Sequence, residues 1–361
     1  MWSAKTIIAI ALITSPLWIS FKAGAQTNAD CLACHGEKGQ SVRFSDKSTR
    51  SVYVDRNHIK QSVHAAQLEC TDCHRDITPS THPSEKAKNP KYKDARDFSI
   101  QQANTCQRCH YAYYTRMLDS IHFETMKAGE RSAPVCTDCH GSHDIKKPGT
   151  PRKEINERCG QCHSDIAKTF GKSVHGELLA AGSDDAPVCT DCHGAHSIID
   201  PRKPGFKASS HQLCAKCHGD EKKMATYGLN TAVLSSYLDD FHGSSNLLFT
   251  KTTQASKSAI ATCVDCHGTH DIQRFRGGET LSKDQMRERI VKTCRKCHEK
   301  VPAAFADAWL SHYPPTFKSA PLVWGVKWLY RIMIPLIMLG LVSHIILHLW
   351  RIKTGKFWRH L

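Results

Sequence analysis

The chain has no cysteine to spare. All 18 are consumed by nine copies of Cys-x-x-Cys-His, which leaves no thiol for a separate disulfide framework or a catalytic nucleophile. Aromatic residues make up only 8% of the 361 residues and apolar ones 40%. Between residues 26 and 320 no long stretch keeps the periodicity of a packed core, which excludes an ordinary globular enzyme of this length. Methionine is scarce, and Met117, Met126, Met224 and Met286 hold no repeated position, which argues against methionine as a recurring metal ligand. No phosphate loop, glycine-rich nucleotide fingerprint or nucleophile–base constellation is present.

The nine motifs are Cys31, Cys34 and His35; Cys70, Cys73 and His74; Cys106, Cys109 and His110; Cys136, Cys139 and His140; Cys159, Cys162 and His163; Cys189, Cys192 and His193; Cys214, Cys217 and His218; Cys263, Cys266 and His267; and Cys294, Cys297 and His298. Chance would supply about 0.06 copies at this composition, so the repetition carries chemistry. Zinc would need four ligands from two neighbouring pairs, without a mandatory histidine after every second cysteine. The pattern fits covalent attachment of c-type haem: two thiols add across the vinyl groups and the adjacent histidine takes one axial position on the iron. Nine haem c groups are therefore expected, about one per 30 residues, and porphyrin surface replaces the missing apolar core.

Lys and Arg number 49 against 34 Asp and Glu, a formal charge of +15. Nucleic acid is not the expected partner, because nine haems with two propionates each contribute roughly −9 when ferric. Much of the basic excess is internal compensation, with room for a patch that docks an acidic protein.

Further histidines recur in step with the motifs. CQRCH, Ser120-Ile-His122, CTDCH and Gly141-Ser-His143 form one repeat. CGQCH, Ser173-Val-His175, CTDCH and Gly194-Ala-His196 form a second, and CAKCH, Asp240-Phe-His242, CVDCH and Gly268-Thr-His270 a third, with a polar loop expected at Gly243 to Ala261. A looser copy opens the chain with His64 and His82, and a half copy closes it with Ser311-His312. Repeats on this scale read as an array. The count closes: nine motif histidines face nine others, His64, His82, His122, His143, His175, His196, His242, His270 and His312, with His58 and His211 to spare. Bis-histidine ligation is expected, which gives low potentials and no open iron position. A Gly-x-His histidine lies three residues past a motif histidine and must serve a different haem. His122 and His175 precede the next motif by 14 residues, which suggests a local geometry and a ligand to that following haem. Asp72, Asp138, Asp191 and Asp265 inside the motifs are expected to bond local backbone. Tyr111, Tyr113 and Tyr114 are expected to pack on porphyrin, and Pro83 to Asn104 to form a polar linker.

Two apolar segments frame this region. Residues 6–21, followed by Ala23-Gly24-Ala25, read as a secretory signal peptide. Residues 332–350 are long enough to cross a bilayer. Trp324, Trp328 and Tyr330 precede them and Trp350 closes them, an aromatic belt, while Arg351, Lys353, Lys356 and Arg359 mark the cytoplasmic end. His344 and His348 share one face of that helix and are candidates for haem b or quinol chemistry.

The doubled motifs with CHGxH resemble the multihaem cytochrome c superfamily of respiratory electron-transfer proteins. The run LYRIMIPLIMLGLVSHIILHLWR is similar to a helix of the hydrogenase-type cytochrome b family, in which a histidine of that kind holds haem b. Joined in this order, the two resemble the Cbc-type menaquinol dehydrogenases of metal-reducing bacteria, where a nine-haem module precedes a dihaem cytochrome b. This sequence carries one such helix, so the resemblance implies haem b or menaquinone shared with a partner membrane subunit. The expected architecture is mainly α and irregular: an elongated array of short helices and loops around stacked haems, plus one C-terminal transmembrane helix. The expected segments are signal peptide at 1–25, first haem pair and linker at 26–100, a seven-haem repeat array at 101–320, and helix with cytoplasmic tail at 321–361. The expected role is an electron-transfer subunit of a quinol dehydrogenase complex rather than a stand-alone enzyme, with no catalytic residue of its own. Held in the bacterial inner membrane with its haems in the periplasm, it would link the quinol pool to a periplasmic redox protein, as donor or acceptor, during anaerobic respiration. The alternatives are a multihaem reductase of a nitrogen or sulfur oxyanion, which would need one five-coordinate haem, and a passive haem wire for which the helix is only an anchor.

Overall fold

The computed structural model describes residues 27–77, 82, 88–89, 91–250, 260–274, 282–305 and 312–354. The expected signal peptide at 1–25, Ser311 and the tail beyond 354 lie outside these. The described residues are mostly helical with little strand, in many short helices and one long apolar helix near the C-terminus. This is the mainly α, irregular architecture that the composition calls for.

The second motif of each pair makes its own short helix, and the aspartate inside it is the reason. At Cys136–His140, Val135 is extended and Asp138 Oδ2 accepts its N–H at 2.7 Å, capping the first turn. Asp72, Asp191 and Asp265 accept from Glu69, Val188 and Thr262 at 2.8, 2.7 and 2.8 Å. These are the local backbone bonds expected of the four aspartates.

The described residues divide into two compact units, those within 1–118 and 122–150, and those within 119–121 and 151–361. In the first, strand Ser41–Phe44 pairs antiparallel with Thr49–Ser51 and parallel with Lys88–Asn89. Phe44 and Tyr92 are buried there, with the Tyr92 ring edge-on to Phe98 at 5.0 Å. Phe98 belongs to helix Ala95–Ala103, which Asp94 caps by accepting the Asp97 N–H at 2.8 Å. Arg131 pairs with Asp94 at 2.8 Å and holds its carboxyl at about 2. The stretch read as a polar linker, Pro83 to Asn104, is thus partly a capped and packed helix. Phe98, its one aromatic anchor on that helix, was too sparse a signal against the surrounding polar residues.

The second unit holds helices Lys153–Gly160, Ser164–Gly171, Val174–Ala180, Ser210–His218, Val233–Asp239 and Phe241–Thr250 among others. Gly243 to Thr250, expected in a polar loop, is helical, because Asn246 is buried and donates to the Ala208 carbonyl at 2.8 Å. Among the described residues of the whole chain the buried apolar side chains are Phe44, Tyr92, Ala103, Ala133, Val135, Ala186, Val188, Met224 and Val291. That is far less protein core than a chain of this length needs, so another apolar body has to fill the interior.

Helix Pro321–Lys353 has 33 residues and reaches a mean hydropathy of 2.2, so by length and composition it can cross a membrane. At 1.5 Å per residue it is roughly 50 Å long, more than the apolar thickness of a bilayer. Phe317, Trp324 and Trp328 meet in series before its apolar part, edge-on at 5.6 Å and tilted at 6.1 Å, and Arg331 lies 5.4 Å over Trp328.

Candidate haem sites

Histidine rings meet in twos throughout both units. In the first, His35 faces His82 at 5.9 Å between ring centroids, His64 faces His110 at 5.9 Å, and His74 faces His143 at 6.2 Å. In the second, the pairs are His175 with His218 at 6.1 Å, His193 with His270 at 6.0 Å, His242 with His298 at 6.2 Å, and His267 with His312 at 6.0 Å. Every pair joins one motif histidine to one of the nine others. With metal–imidazole bonds of about 2 Å on opposite sides of one ion, ring centroids fall roughly 6 Å apart. Among the described residues no group of three or more His, Cys, Asp or Glu side chains converges as a zinc site would require. The paired imidazoles and adjoining thiols therefore fit c-type haem with two axial histidines.

The pairing follows a register. A Ser-x-His or Asp-x-His histidine of one repeat faces the first motif of the next: His64 with His110, His175 with His218, His242 with His298. A Gly-x-His histidine faces the second motif of the preceding repeat: His143 with His74, His270 with His193. Two pairs fall outside this register, His82 facing the first motif's His35 and His312 the eighth motif's His267. The expectation that His175 serves the motif 14 residues later is corrected, since its ring stands against His218. His122, His140, His163 and His196 each have interaction partners of their own.

A backbone bond explains the correction. Val63 N donates to Ile145 O at 2.8 Å, Ile121 N to Ile198 O at 2.8 Å, and Val174 N to Ile272 O at 2.9 Å. In each case the middle residue of Ser-x-His is tied to the isoleucine two places after a Gly-x-His histidine of the next repeat. The histidine is thereby carried across the repeat boundary. The recurring Gly-x-His-x-Ile was visible in the sequence; its partner was not.

The glycine of Gly-x-His makes the turn possible. Gly141, Gly194 and Gly268 have φ of 77, 75 and 83° with ψ near ±175°, a region essentially reserved for glycine. It ends the motif helix and turns the chain away from it. Gly194→Ala should therefore cost about 1–3 kcal/mol of stability, measured by denaturant unfolding of the haem-loaded protein. Gly268→Ala should cost more, because a Cβ there also meets the Asp271 carboxylate.

Neighbouring groups fix the rings. His35 Nδ1 lies 3.0 Å from the Val52 carbonyl oxygen, which can only accept, so the hydrogen is on Nδ1 and the Nε2 lone pair is free for a metal. Phe98 stacks on His74 at 14° and Phe206 on His193 at 6°. Burial pushes His74, His175, His193 and His218 below the usual imidazole range, and His267 to about 4, which keeps these rings neutral. The spare His211 is buried, with Nδ1 3.0 Å from the Ala208 carbonyl oxygen, and His58 is exposed.

The cysteines, free thiols standing where thioether sulfurs would be, link motif to motif. The first cysteines of a pair are in hydrogen-bonding contact: Cys31 with Cys70, Cys106 with Cys136, Cys159 with Cys189, and Cys214 with Cys263. Between pairs, Cys73 is near Cys109, Cys192 near Cys214, and Cys266 near Cys294. Within each unit the motifs thus follow one another in space as in sequence.

Attachment motifs, paired imidazoles and the sparse protein core of the described residues define a multihaem c-type cytochrome with a C-terminal apolar helix, binding haem covalently. Residues 127–168 and 180–223 match the doubled CXXCH motif. The chain is similar to the multiheme cytochrome MtrA of Shewanella baltica, 23% identical over 195 residues covering 53% of each protein. It is also similar to the high-molecular-weight cytochrome c of Nitratidesulfovibrio vulgaris, 24% identical over 194 residues, 54% of this chain and 29% of that protein. The chain thus matches about half the length of the first relative and less than a third of the second.

Proposed function

We propose that this chain carries nine haem c groups and transfers electrons between the membrane quinol pool and a periplasmic redox protein, anchored in the inner membrane by Pro321–Lys353. The observation that carries the reading is the register of histidine pairs, which ties adjoining repeats together within each unit and leaves seven motif histidines with a second imidazole opposite. When bound, the haems supply irons that take up and release single electrons. The chain's own residues do the rest. Two facing imidazoles would hold each iron from both sides, so that its coordination need not change with oxidation state. Contacting cysteines hold consecutive attachment sites together, which favours short tunnelling distances. The paired imidazoles also weigh against an oxyanion reductase, which needs an open iron position.

His344 and His348, four residues apart on the long helix, are the proposed contact with quinol or with a haem b shared with a partner membrane subunit. Purified with its membrane partners, the complex should give nine c-type haems per chain in a pyridine haemochrome spectrum, plus a b-type component that His344→Ala removes together with reduction by menaquinol. A c-type spectrum alone, with quinol reduction unaffected by His344→Ala, would leave the helix as a tether and favour the passive wire.

A further inference from the structure

The aspartates inside the second motifs do more than cap their helices. Arg96 Nη1 donates to both carboxylate oxygens of Asp138, at 3.0 and 2.8 Å, while its other nitrogens reach the Arg131 and Ala133 carbonyls. Arg152 Nη2 donates to Asp191 at 2.7 Å and to the Ala186 carbonyl at 3.2 Å. Lys207 Nζ lies 2.7 Å from Asp265. The bond partners Arg96–Asp138 and Arg152–Asp191 are 42 and 39 residues apart, yet the arrangement recurs in every full repeat. Arg152 and Lys207 both stand seven residues before the first cysteine of their repeat.

We propose that Arg96, Arg152 and Lys207 are positioning residues that seat the second attachment motif of each full repeat and neutralise the carboxylate beside its haem. Asp191 immediately precedes Cys192 and lies two residues before His193. An uncompensated negative charge there favours the ferric over the ferrous state and lowers the reduction potential; the guanidinium cancels it. The same side chain ties the Ala186 carbonyl, and Ala186 is completely buried, so it also fixes the segment leading into the motif. The inference rests on haem attachment at Cys189–His193, which the haem content of the parent protein tests separately.

The experiment is a redox titration of the full-length protein in detergent, followed by its low-spin resonance signals, with haem content measured on the same samples. Arg152→Gln should shift one component to lower potential, the Asp191→Asn and Arg152→Gln double variant should restore it, and Arg152→Lys should titrate like the parent. An unshifted Arg152→Gln titration at full haem content would overturn the proposal, as would a shift that Asp191→Asn does not reverse. Should Arg152→Gln fail to load haem, Asp191→Asn alone decides: one component must rise, and an unchanged titration sinks the idea.

Discussion

Replacing His270 by alanine should convert one haem from low-spin to high-spin, visible in electron paramagnetic resonance of the ferric protein. The ring faces His193 at 6.0 Å and 23°, with Gly268 turning the chain to bring it there. Without it, an iron held by His193 would lack its sixth ligand. His270→Met should instead keep six ligands and raise the potential of that haem by on the order of 0.1 V, a fraction of the span that axial ligands control. His58→Ala, at an exposed position, should change neither property. A wholly low-spin His270→Ala protein would mean that the register is wrong, and with it the assignment of Gly-x-His to the preceding repeat.

The second large effect concerns the long helix. Residues 332–350 contain eleven Leu, Ile and Val, which together favour insertion by about 5 kcal/mol on the translocon scale. Arginine at mid-helix costs roughly 3 kcal/mol, so Ile337→Arg with Leu341→Arg costs about 7 kcal/mol including the lost apolar groups. The double variant should move from the membrane pellet to the soluble fraction after an alkaline carbonate wash, with its c-type haem content unchanged. Retention in the pellet would mean that the haem region itself binds the membrane or a membrane protein. Both outcomes can be read without measuring electron transfer.

Some of the site is legible in the sequence because covalent haem attachment is a local property. Two thiols and a histidine within five residues do the chemistry, so the nine motifs stand out at any composition. The internal aspartates were legible for the same reason: Asp138 bonds the N–H of Val135, three residues away. Arg96, Arg152 and Phe98 were missed because their partners are distant, and each is a single residue in a polar stretch. For Arg152 and Lys207 a signal existed, a basic residue seven places before the first cysteine of a repeat, but nothing local says what it touches.

The sequence by itself determined the cofactor class, the histidines that recur with the motifs and the apolar helix, since each is written in adjacent residues or in a simple count. Which histidine meets which was decided only by the tertiary structure. His175 reaches His218, past an intervening motif, because Val174 is hydrogen-bonded to Ile272, nearly a hundred residues away. His82 and His312 show the same dependence: they leave the register of the other pairs and face His35 and His267. Spacing along the chain cannot encode that choice, because it follows from which repeat lies alongside which.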